Sequence, residues 1–350
     1  MSVLTSHSFT HWTQRARRLT ACCAGALIVG ASASVHPDEV AGPVTKRQVY
    51  LMGTRATLTT REPSRVVAVK ALDRMLAVLE STDRELSTWR DDSLLTQLNR
   101  QPIAEPWAAP DSLCQLLVEL TGWSRRTAGA FDPVVGSFID VWGLRDEGRL
   151  PSLAAVEVAR ERAGIDHIVV RATPCSITRL AETTIDAGGF GKGVALERVA
   201  SLDESGLVDL GGQVAVFGES RSGGWPVHIA HPSDRDTPVV ELELTHGSLA
   251  VSGGSERDRW VDGERVGHIV DPRTGRAVSR PWSVAVWHER ALAADVITTA
   301  LYVMGLDQGR AWAEANDVAA CFLVPRGRAE LLSGTSVDVV ATSHFRRRFL

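Results

Sequence analysis

The sequence predicts an α+β protein, in which helices and antiparallel strands are mixed in one fold. Helical and strand-like segments follow one another without the regular rhythm of βαβ units, and short strands are separated by Gly, Pro and Asp turns. Hydrophobic residues make up 44% of the 350 residues, which is enough for a sizeable core. A disordered or fibrous chain is therefore excluded, and no internal repeat or clean domain boundary divides the body of the sequence.

The first elements follow from composition and spacing. Val49–Thr60 has the composition of a strand. Ser64 can cap a helix that runs from Arg65 to about Leu86. The apolar residues of this helix recur at helical spacing and should face the core: Val69, Leu72, Leu76 and Leu79. Thr88–Asn99 follows as a polar turn with a short helical end.

The middle of the chain predicts a second helix, a loop and a hairpin. Ser112 can cap the helix, whose apolar residues share one face: Leu113, Leu116, Leu117 and Leu120. Gly129–Gly143 is a loop with aromatic anchors. A helix over Ala154–Ala163 leads into a strand at Ile168–Arg171, which pairs with a strand near Ile177 as a hairpin.

The C-terminal half begins with a glycine-rich turn, Asp186–Gly193, that opens a helix to about Leu202. Short strands, separated by turn residues, are predicted near five positions: Leu207, Val214, Val227, Leu242 and Ala250. The later elements are a strand end at His268–Asp271, a strand at Ser283–Trp287, helices at Ala291–Met304 and Asp307–Asn316, and a strand at Ala319–Val324. We expect the basic tail, His344–Arg348, to be a solvated end.

Charge and cysteine content narrow the classes of function. The chain has 38 Lys and Arg against 42 Asp and Glu, a formal charge of −4. A mildly acidic chain disfavours a nucleic-acid binder that works through a broad basic surface, so we expect no nucleic-acid partner. No CxxC motif occurs, so a structural zinc site is not expected. We expect Cys114, Cys175 and Cys321 to be buried thiols, and the alternative is a disulfide between two of them.

The N-terminus has the pattern of an export signal. Three arginines (Arg15, Arg17 and Arg18) precede a small, apolar stretch, Leu19–Ala33, which ends in the Ala-Ser-Ala cleavage pattern. The stretch is too short and weak for a stable membrane span. We therefore expect a signal peptide over residues 1–33, a linker over 34–48 and one domain over 49–350.

The type of signal stays open between several alternatives. Besides a general secretory signal, Arg17-Arg18 can belong to a twin-arginine signal, and Cys22 can close a lipoprotein box. A moderately hydrophobic helix of the mature fold is the remaining alternative. We expect an exported, periplasmic protein, for which anchoring at the inner membrane and a weak membrane association are open possibilities.

The stretch Asp186–Gly193 has the highest density of residues suited to ligand binding. Its glycines let the backbone approach a ligand closely, and the N-terminus of the following helix favours phosphate groups. Lys192 adds a positive charge there. The spacing fits neither a Walker A loop nor a dinucleotide-binding GxGxxG motif, so an ordinary strand-to-helix turn is the alternative.

Two further positions carry groups suited to catalysis. Asp295 and Thr299 are four residues apart on one helix face, and their oxygens are hard ligands that suit Mg²⁺. A buried polar pair is the alternative. His268 precedes an Asp-Pro-x-x-Gly turn and can act as a general base near neutral pH, although the turn itself is common.

A series of short motifs occurs in a fixed order, which is more specific than any one of them. The motifs are MGT at Met52–Thr54, STWRDDSLLTQLN at Ser87–Asn99, GAFDPVVG at Gly129–Gly136, IDAGGFGKG at Ile185–Gly193, DLGG at Asp209–Gly212, SGG at Ser252–Gly254, HIVDPRTG at His268–Gly275 and ADVITTALYVMG at Ala294–Gly305. From about Val49 to about Met304, the sequence resembles the ApbE-like family of FAD:protein FMN transferases.

The resemblance implies an activity, a setting and a fold. Members of that family move the FMN half of FAD onto a threonine side chain of an acceptor protein and release AMP. The acceptors are exported domains of respiratory or redox proteins, which agrees with the predicted export signal. The implied fold is a T-fold-like, mixed α/β core in two lobes, with FAD in a cleft between them.

The resemblance also implies roles for individual residues. Expected contacts with FAD are made by Met52 and Trp89 at the flavin or adenine rings, by Ala130, Phe131 and Asp132 along the pocket, and by Asp186 and Lys192 near the ribose and pyrophosphate. The expected Mg²⁺ ligands are the backbone carbonyl of Gly189 together with Asp295 and Thr299. His268 matches the proposed base for the acceptor hydroxyl, so His268 and Lys192 are the expected catalytic residues, and both also border the cofactor.

The chain departs from the family pattern at a few positions. Val251 replaces a threonine, Gly254 and Ser255 lack an aromatic residue, and Gly267 replaces a larger residue. Two alternative functions follow. One is an Mg²⁺-dependent FAD pyrophosphatase, in which water replaces the acceptor threonine. The other is a non-catalytic flavin-binding assembly protein, which the departures at Val251 and Ser255 motivate.

Overall fold

The computed structural model describes residues 42–219, 223–254, 258–326 and 336–350, which form a mixed α/β fold. The strands in chain order are β1 (Val44–Leu51), β2 (Thr54–Arg61), β3 (Trp107–Ala108), β4 (Ile168–Ala172), β5 (Cys175–Arg179), β6 (Gly206–Leu210), β7 (Gln213–Phe217), β8 (Trp225–His231), β9 (Asp234–Leu244), β10 (Gly247–Ser252), β11 (Arg259–Val261), β12 (Glu264–Val266), β13 (Ile269–Asp271), β14 (Arg276–Val278), β15 (Ser283–His288), β16 (Ala319–Pro325) and β17 (Val337–Ala341). The helices are α1 (Arg65–Leu86), α2 (Leu94–Asn99), α3 (Asp111–Arg126), α4 (Gly136–Val141), α5 (Leu153–Arg160), α6 (Gly191–Ala200), α7 (Ala291–Met304), α8 (Leu306–Ala315) and α9 (Ser343–Phe349).

Eight of the strands form one antiparallel sheet in the order β1-β2-β6-β7-β10-β15-β16-β17. The register places Ala56 opposite Leu210, and Ala250 opposite Gln213. The β1–β2 turn, the β6–β7 turn and the end of β10 therefore lie at the same edge of the sheet. This edge is where the candidate site is built.

Helices cover one face of the large sheet. Alternate strand residues, such as Ala56 and Leu58 of β2, are fully buried against α1 and α6. Helix α7 is buried almost all round, as expected of a helix that is apolar on every side. Its burial fixes the side chains that it carries, because no face of the helix is free to move into solvent.

The other face of the sheet packs against the β8–β9 hairpin and α9. Ile229 of β8, Trp287 of β15 and Phe345 of α9 belong to this second core. A smaller sheet, in the order β3-β5-β4, packs with α3 beside the large one. The α+β class is confirmed, and the described residues belong to one compact unit.

The cysteine prediction was wrong for two of the three residues. Cys114 of α3 and Cys175 of β5 form a disulfide, with their Cα atoms 6.0 Å apart. Their pairing depends on the contact between α3 and the smaller sheet, which the sequence does not reveal. Cys321 is a buried thiol as predicted, and burial raises its pKa to about 12.

Several predicted elements are confirmed and others need correction. Helix α1 has the predicted bounds, and the Ser64 hydroxyl accepts a hydrogen bond from the Val67 N–H at 3.3 Å. The predicted strand Val49–Thr60 is two strands, because the chain turns at Met52, whose φ is 51°. Strand β1 begins at Val44, so the end of the predicted linker belongs to the sheet.

Helix α3 begins at Asp111 and follows Pro110, so Ser112 is not its cap. Within the predicted loop Gly129–Gly143, the described chain forms the short helix α4. The predicted helices of the C-terminal half match α6 to α8, and its predicted strands match β6 to β10, β13, β15 and β16 within a few residues. Helix α7 has the predicted bounds, whereas the short strands β11, β12 and β14 were not predicted.

The basic tail is not a solvated end. It forms α9, in which Phe345 is fully buried under the sheet. His344 and Arg347 lie 3.1 Å from the Asp317 carboxylate, and the Arg348 guanidinium lies over the Trp287 ring at 3.4 Å. Phe345, with Phe349 packed against it, therefore anchors the segment, since burying these rings offsets the cost of ordering their neighbours.

The predicted signal peptide lies outside the described residues. Within the part of the chain that the structure describes, no helix is both long enough and apolar enough to cross a membrane.

Candidate functional site

A cleft of about 1700 Å³ opens at the sheet edge where the β1–β2 and β6–β7 turns meet α6 and α7. It continues beneath the β8–β9 hairpin along the sheet face that the helices do not cover. The eleven residues that the sequence singled out all line it: Met52, Trp89, Ala130, Phe131, Asp132, Asp186, Gly189, Lys192, His268, Asp295 and Thr299. Residues separated by more than 200 positions are thus brought to one cavity.

The buried carboxylate of Asp295 lies at the junction of α6 and α7. Its Oδ1 accepts a hydrogen bond from Lys192 Nζ at 3.1 Å, and its Oδ2 accepts one from the Gly193 N–H at 2.9 Å. A Cβ on Gly193 would lie 2.8 Å from the Leu292 Cα and 2.9 Å from the Asp295 Cβ. The absence of a side chain there allows the two helices to cross closely enough for this hydrogen bond.

The predicted metal ligands are grouped beside this carboxylate. Thr299 is one turn further along α7, and its hydroxyl donates to the Asp295 carbonyl oxygen at 3.0 Å. The lone pairs of the hydroxyl oxygen are therefore available to a cation. A Cβ on Gly189 would lie 3.5 Å from Thr299 Cγ2, so the Gly189 backbone is a direct neighbour of Thr299.

This donor set differs from a cluster of acidic and imidazole ligands. Among residues 42–219, 223–254, 258–326 and 336–350, no three His, Cys, Asp or Glu side chains gather to hold a metal. The set instead offers one carboxylate, one hydroxyl and one backbone carbonyl. All three are hard oxygen donors, and Mg²⁺ is commonly bound by few protein oxygens plus water and substrate phosphates. The residues present therefore fit that ion.

Asp186 organises the glycine-rich turn before α6. Its Oδ1 accepts a hydrogen bond from the Gly188 N–H at 2.8 Å, and its Oδ2 accepts one from Arg145 Nη2 at 2.7 Å. Arg145 also donates to Asp140 at 2.7 Å, and it lines the cleft. Sequence reasoning missed Arg145, because it lies in a segment between elements with no motif around it.

Apolar and aromatic groups form the walls next to this turn. Ala130 and Phe131 are buried, and a Cβ on Gly189 would lie 3.4 Å from the Phe131 ring. Met52 occupies the β1–β2 turn, and its methyl group approaches Gly191. Trp89 is 74% exposed at the rim, which leaves its ring free to cover a ligand.

Asp132 lines the cleft, but protein groups already bind its carboxylate. Its oxygens accept hydrogen bonds from the Val134 N–H at 2.8 Å, the Ile165 N–H at 3.0 Å and the Ser124 hydroxyl at 3.2 Å. Burial raises the pKa of the Asp132 carboxyl, and these hydrogen bonds lower it by a smaller amount. The contacts therefore indicate that Asp132 shapes the loop of the pocket wall.

His268 lies at the opposite side of the cleft, between β12 and β13. Its Nδ1 is 3.1 Å from Asp258 Oδ1, and its backbone N–H donates to the same oxygen at 3.3 Å. Asp258 was missed by sequence reasoning. In the sequence, Asp258 is one of several charged residues that follow Ser255, and such residues are usually exposed. No spacing rule links it to a histidine ten residues later.

A polar group beneath the β8–β9 hairpin lines the inner part of the cleft. Asp209, of the DLGG motif, accepts a hydrogen bond from the Gly212 N–H at 3.2 Å. Burial raises the pKa of Asp209, and the nearby positive charges of Arg235 and Arg55 lower it by a smaller amount. The inner part of the cleft is therefore lined by both acidic and basic side chains.

Comparisons with known proteins place a chain with this architecture and this cleft among the transferases. The family model described as "ApbE family" matches residues 52–322, and the chain belongs to this family. Over 329 residues, it is 28% identical to the FAD:protein FMN transferase of Klebsiella pneumoniae (strain 342), with 89% of this chain and 93% of that protein covered.

Solved structures agree with this assignment. The flavin transferase ApbE from Vibrio cholerae superposes with a TM-score of 0.74 at 27% identity, covering 88% of this chain and 99% of that one. The ApbE protein from Thermotoga maritima gives a TM-score of 0.78, covering 87% of this chain and 99% of that one. Its identity is 24%, so this second comparison concerns the fold alone.

Proposed function

We propose that the protein transfers FMN from FAD to a threonine side chain of an acceptor protein and releases AMP. One observation carries the proposal. A single cleft brings Lys192, Asp295, Thr299 and His268 together in a chain whose relatives are named FAD:protein FMN transferases. Phosphate-binding, metal-binding and proton-accepting groups are the three kinds of group that such a transfer needs.

The bond changes define what each residue must do. The threonine oxygen attacks the phosphorus on the FMN side of the pyrophosphate, and the bond from that phosphorus to the AMP oxygen breaks. The product is a phosphodiester between FMN and the threonine. A hydroxyl is a weak nucleophile at neutral pH, so His268 accepts its proton as the new bond forms.

Positive groups near the start of α6 can neutralise the negative charge of the pyrophosphate. Lys192 presents an ammonium group in the first turn of α6, where the N–H groups of the helix start also favour anions. Mg²⁺ bound by Asp295, Thr299 and the Gly189 carbonyl would neutralise phosphate charge and stabilise the departing AMP. Arg145 adds a further guanidinium on the same side of the cleft.

The walls of the cleft suit the ring systems of FAD. Trp89, Met52 and Phe131 offer aromatic and sulfur-containing surface on which planar rings can stack. A flavin held against them would place its phosphates toward the α6 turn. The polar group around Asp209 lies further inside and is suited to hydroxyl and amine groups.

In-gel flavin fluorescence tests the proposal directly. The full chain is mixed with FAD, Mg²⁺ and an exported redox domain that carries a flavinylated-threonine motif, and the mixture is then denatured. We expect a fluorescent acceptor band that is absent when the acceptor threonine is changed to valine and absent with a chelator. AMP and free FMN without any band would instead support the FAD pyrophosphatase alternative, and unchanged FAD would contradict both.

We also propose that the protein is exported and acts on an exported acceptor. Two observations support this: the N-terminal pattern of arginines, apolar residues and an Ala-Ser-Ala site, and the Cys114–Cys175 disulfide. Stable disulfides are typical of oxidising compartments and rare in the bacterial cytoplasm.

Cell fractionation of the full chain, with cytoplasmic and periplasmic markers, tests the location. Arg17→Lys/Arg18→Lys should block export only if the signal is of the twin-arginine type. Cys22→Ser should release the protein from membranes only if the chain is lipidated. Recovery of the native chain in the cytoplasm with free thiols would contradict the proposal.

A further inference from the structure

We propose that Asp258 is a positioning residue, which fixes the ring orientation and tautomer of His268 so that Nε2 accepts the proton. The inference rests on the proposed function, since it assumes that His268 is the base. It concerns a residue that neither the motifs nor the resemblance singled out.

The first argument is the contact between the two residues. One oxygen of Asp258, Oδ1, receives both the His268 backbone N–H at 3.3 Å and the ring Nδ1 at 3.1 Å. An ionised carboxylate can only accept hydrogen bonds, so Nδ1 carries the proton and donates it. In the neutral imidazole, the other ring nitrogen, Nε2, is then unprotonated and can act as a base.

The second argument is that the other oxygen of the Asp258 carboxylate, Oδ2, also contacts protein groups. Arg265 Nε forms an ion pair with Asp258 Oδ2 at 3.1 Å, and the Ser279 hydroxyl donates a hydrogen bond to the same oxygen at 3.0 Å. Arg265 in turn donates to the Gly254 carbonyl at 3.0 Å. Only 3% of the Asp258 side chain is exposed. Both oxygens are therefore engaged, and the carboxylate has no freedom to turn away from His268.

The third argument is that neighbouring glycines make room for this arrangement. A Cβ on Gly254 would collide with the Asp258 carboxylate, and a Cβ on Gly267 would collide with the Val278 carbonyl oxygen. Both positions are departures from the pattern of the resembled family. The absence of side chains at Gly254 and Gly267 therefore makes room for the buried Asp258 carboxylate in contact with His268.

The charges around His268 support the assigned tautomer. Arg265 lies on the far side of Asp258 and balances the buried carboxylate. Tyr302 is close to Asp258, and burial raises the pKa of Tyr302 to about 12, so its hydroxyl stays neutral at physiological pH. The negative charge next to the imidazole is therefore that of Asp258.

Asp258→Asn is the informative variant, because the neighbours dictate how the amide must turn. Arg265 Nε and the Ser279 hydroxyl both lie against the former Oδ2, whereas the obligate donor at the former Oδ1 is the His268 backbone N–H at 3.3 Å. Because the charged guanidinium is among the groups at Oδ2, we expect the amide oxygen to face Arg265 and Ser279. The amide NH₂ then faces His268 Nδ1, which has to become the acceptor. The ring proton moves to Nε2, and the base is lost without a change in side-chain size.

The rate test is a double-mutant cycle on the full chain with FAD, Mg²⁺ and acceptor. We expect Asp258→Asn to lower transfer by about 10²-fold, the lower end of what a general base contributes, with FAD binding within about twofold of native. In a His268→Ala background, Asp258→Asn should cause no further loss. Asp262→Asn is the matched control, because Asp262 is an exposed carboxylate in the turn between β11 and β12 and does not line the cleft, and it should stay within about twofold of native.

The tautomer test needs no activity. In ¹⁵N-histidine-labelled native protein, the His268 signals, assigned by their loss in His268→Ala, should show a protonated Nδ1, and Asp258→Asn should show a protonated Nε2. A native Nε2–H tautomer would overturn the inference even if the variant fails to fold, and so would additive losses in the cycle. If native protein transfers no FMN, the proposed function fails, while the spectra still decide the role of Asp258.

Discussion

The cleft has two walls that are built in different ways. The helix wall consists of Gly189, Lys192, Asp295 and Thr299 on α6, α7 and the turn before them. The strand wall consists of Asp258, Arg265 and His268, around β11, β12 and the start of β13. Asp295 is 2% exposed within a helix that is buried along almost its whole length, whereas the side chains of Arg265 and His268 are 22% and 27% exposed.

The two walls hold their functional side chains in position by different means. On the helix wall, packing of α6 on α7 places the groups, and the hydrogen bonds follow from the packing. On the strand wall, one buried carboxylate collects the donors and holds short, separate strands together. Changes on the helix wall should therefore affect binding, stability and rate together, and a change at His268 on the strand wall should affect the rate far more than FAD binding.

The largest effect is expected from Asp295→Asn on the helix wall. We expect transfer to fall by at least about 10³-fold with loss of the Mg²⁺ dependence, because charge stabilisation by a metal ion is worth several kcal/mol. The amide can still accept from the Gly193 N–H, so the fold should persist. Initial rates across a Mg²⁺ titration provide the measurement.

Asp307→Asn is the matched control for this prediction, since Asp307 is an exposed carboxylate at the start of α8 and does not line the cleft. It should transfer at the native rate. A native rate and native Mg²⁺ dependence in Asp295→Asn would remove Asp295 from the metal site and the helix wall from the chemistry.

On the strand wall, His268→Ala should lower the rate of transfer by about 10²–10⁴-fold, the usual contribution of a general base. FAD affinity should stay close to native, because the packing of the helix wall is untouched. Single-turnover transfer and equilibrium FAD binding separate the two quantities. His167→Ala, outside the cleft, is the control, and a variant whose FAD binding weakens as much as its rate would show that the walls do not differ as described.

The same contrast explains what could be predicted from the sequence. Helices α1 and α7 were predicted well, because the capping Ser64 and regular apolar spacing of α1, and the almost continuous apolar composition of α7, are local signals. Asp295 and Thr299 could be assigned to one face by their spacing alone. The Asp258–His268 contact could not, because it joins two short strands through a turn that carries no distinctive pattern.

Other errors have similar physical causes. The turn at Met52 lacks the usual Asn-Gly or Asp-Gly signal, so one strand was predicted where there are two. The Cys114–Cys175 pair depends on a contact between distant elements. The tail was misjudged because two phenylalanines, Phe345 and Phe349, pack it against the sheet although the three residues between them are arginines.

Gly193→Ala tests whether packing places the helix wall. The added methyl group would lie 2.9 Å from the Asp295 Cβ and the Ala291 carbonyl oxygen, so α6 and α7 must separate. We expect a loss of about 1–3 kcal/mol in the free energy of unfolding and a lower rate of transfer. Denaturant unfolding and transfer assays on the same sample provide the measurement.

Gly122→Ala is the matched control, because a Cβ on this α3 glycine would meet only the Arg126 side chain at 3.9 Å. That change should be neutral or stabilise the protein by up to about 1 kcal/mol. Equal behaviour of the two variants would mean that helix crossing is not what positions Asp295.

The smallest effect on transfer is expected from removing the disulfide, which belongs to neither wall. Cys114→Ser/Cys175→Ser opens a loop with a sequence separation of 61, which should lower the free energy of unfolding by about 2–4 kcal/mol. Transfer at 25 °C should be unchanged, because neither residue lines the cleft. Thermal melting with and without reductant measures the first effect, and reductant should not shift the melting temperature of the double variant. A loss of transfer in a folded double variant would mean that α3 and the smaller sheet hold one of the walls in place, and the division into two walls would then have to include a third support.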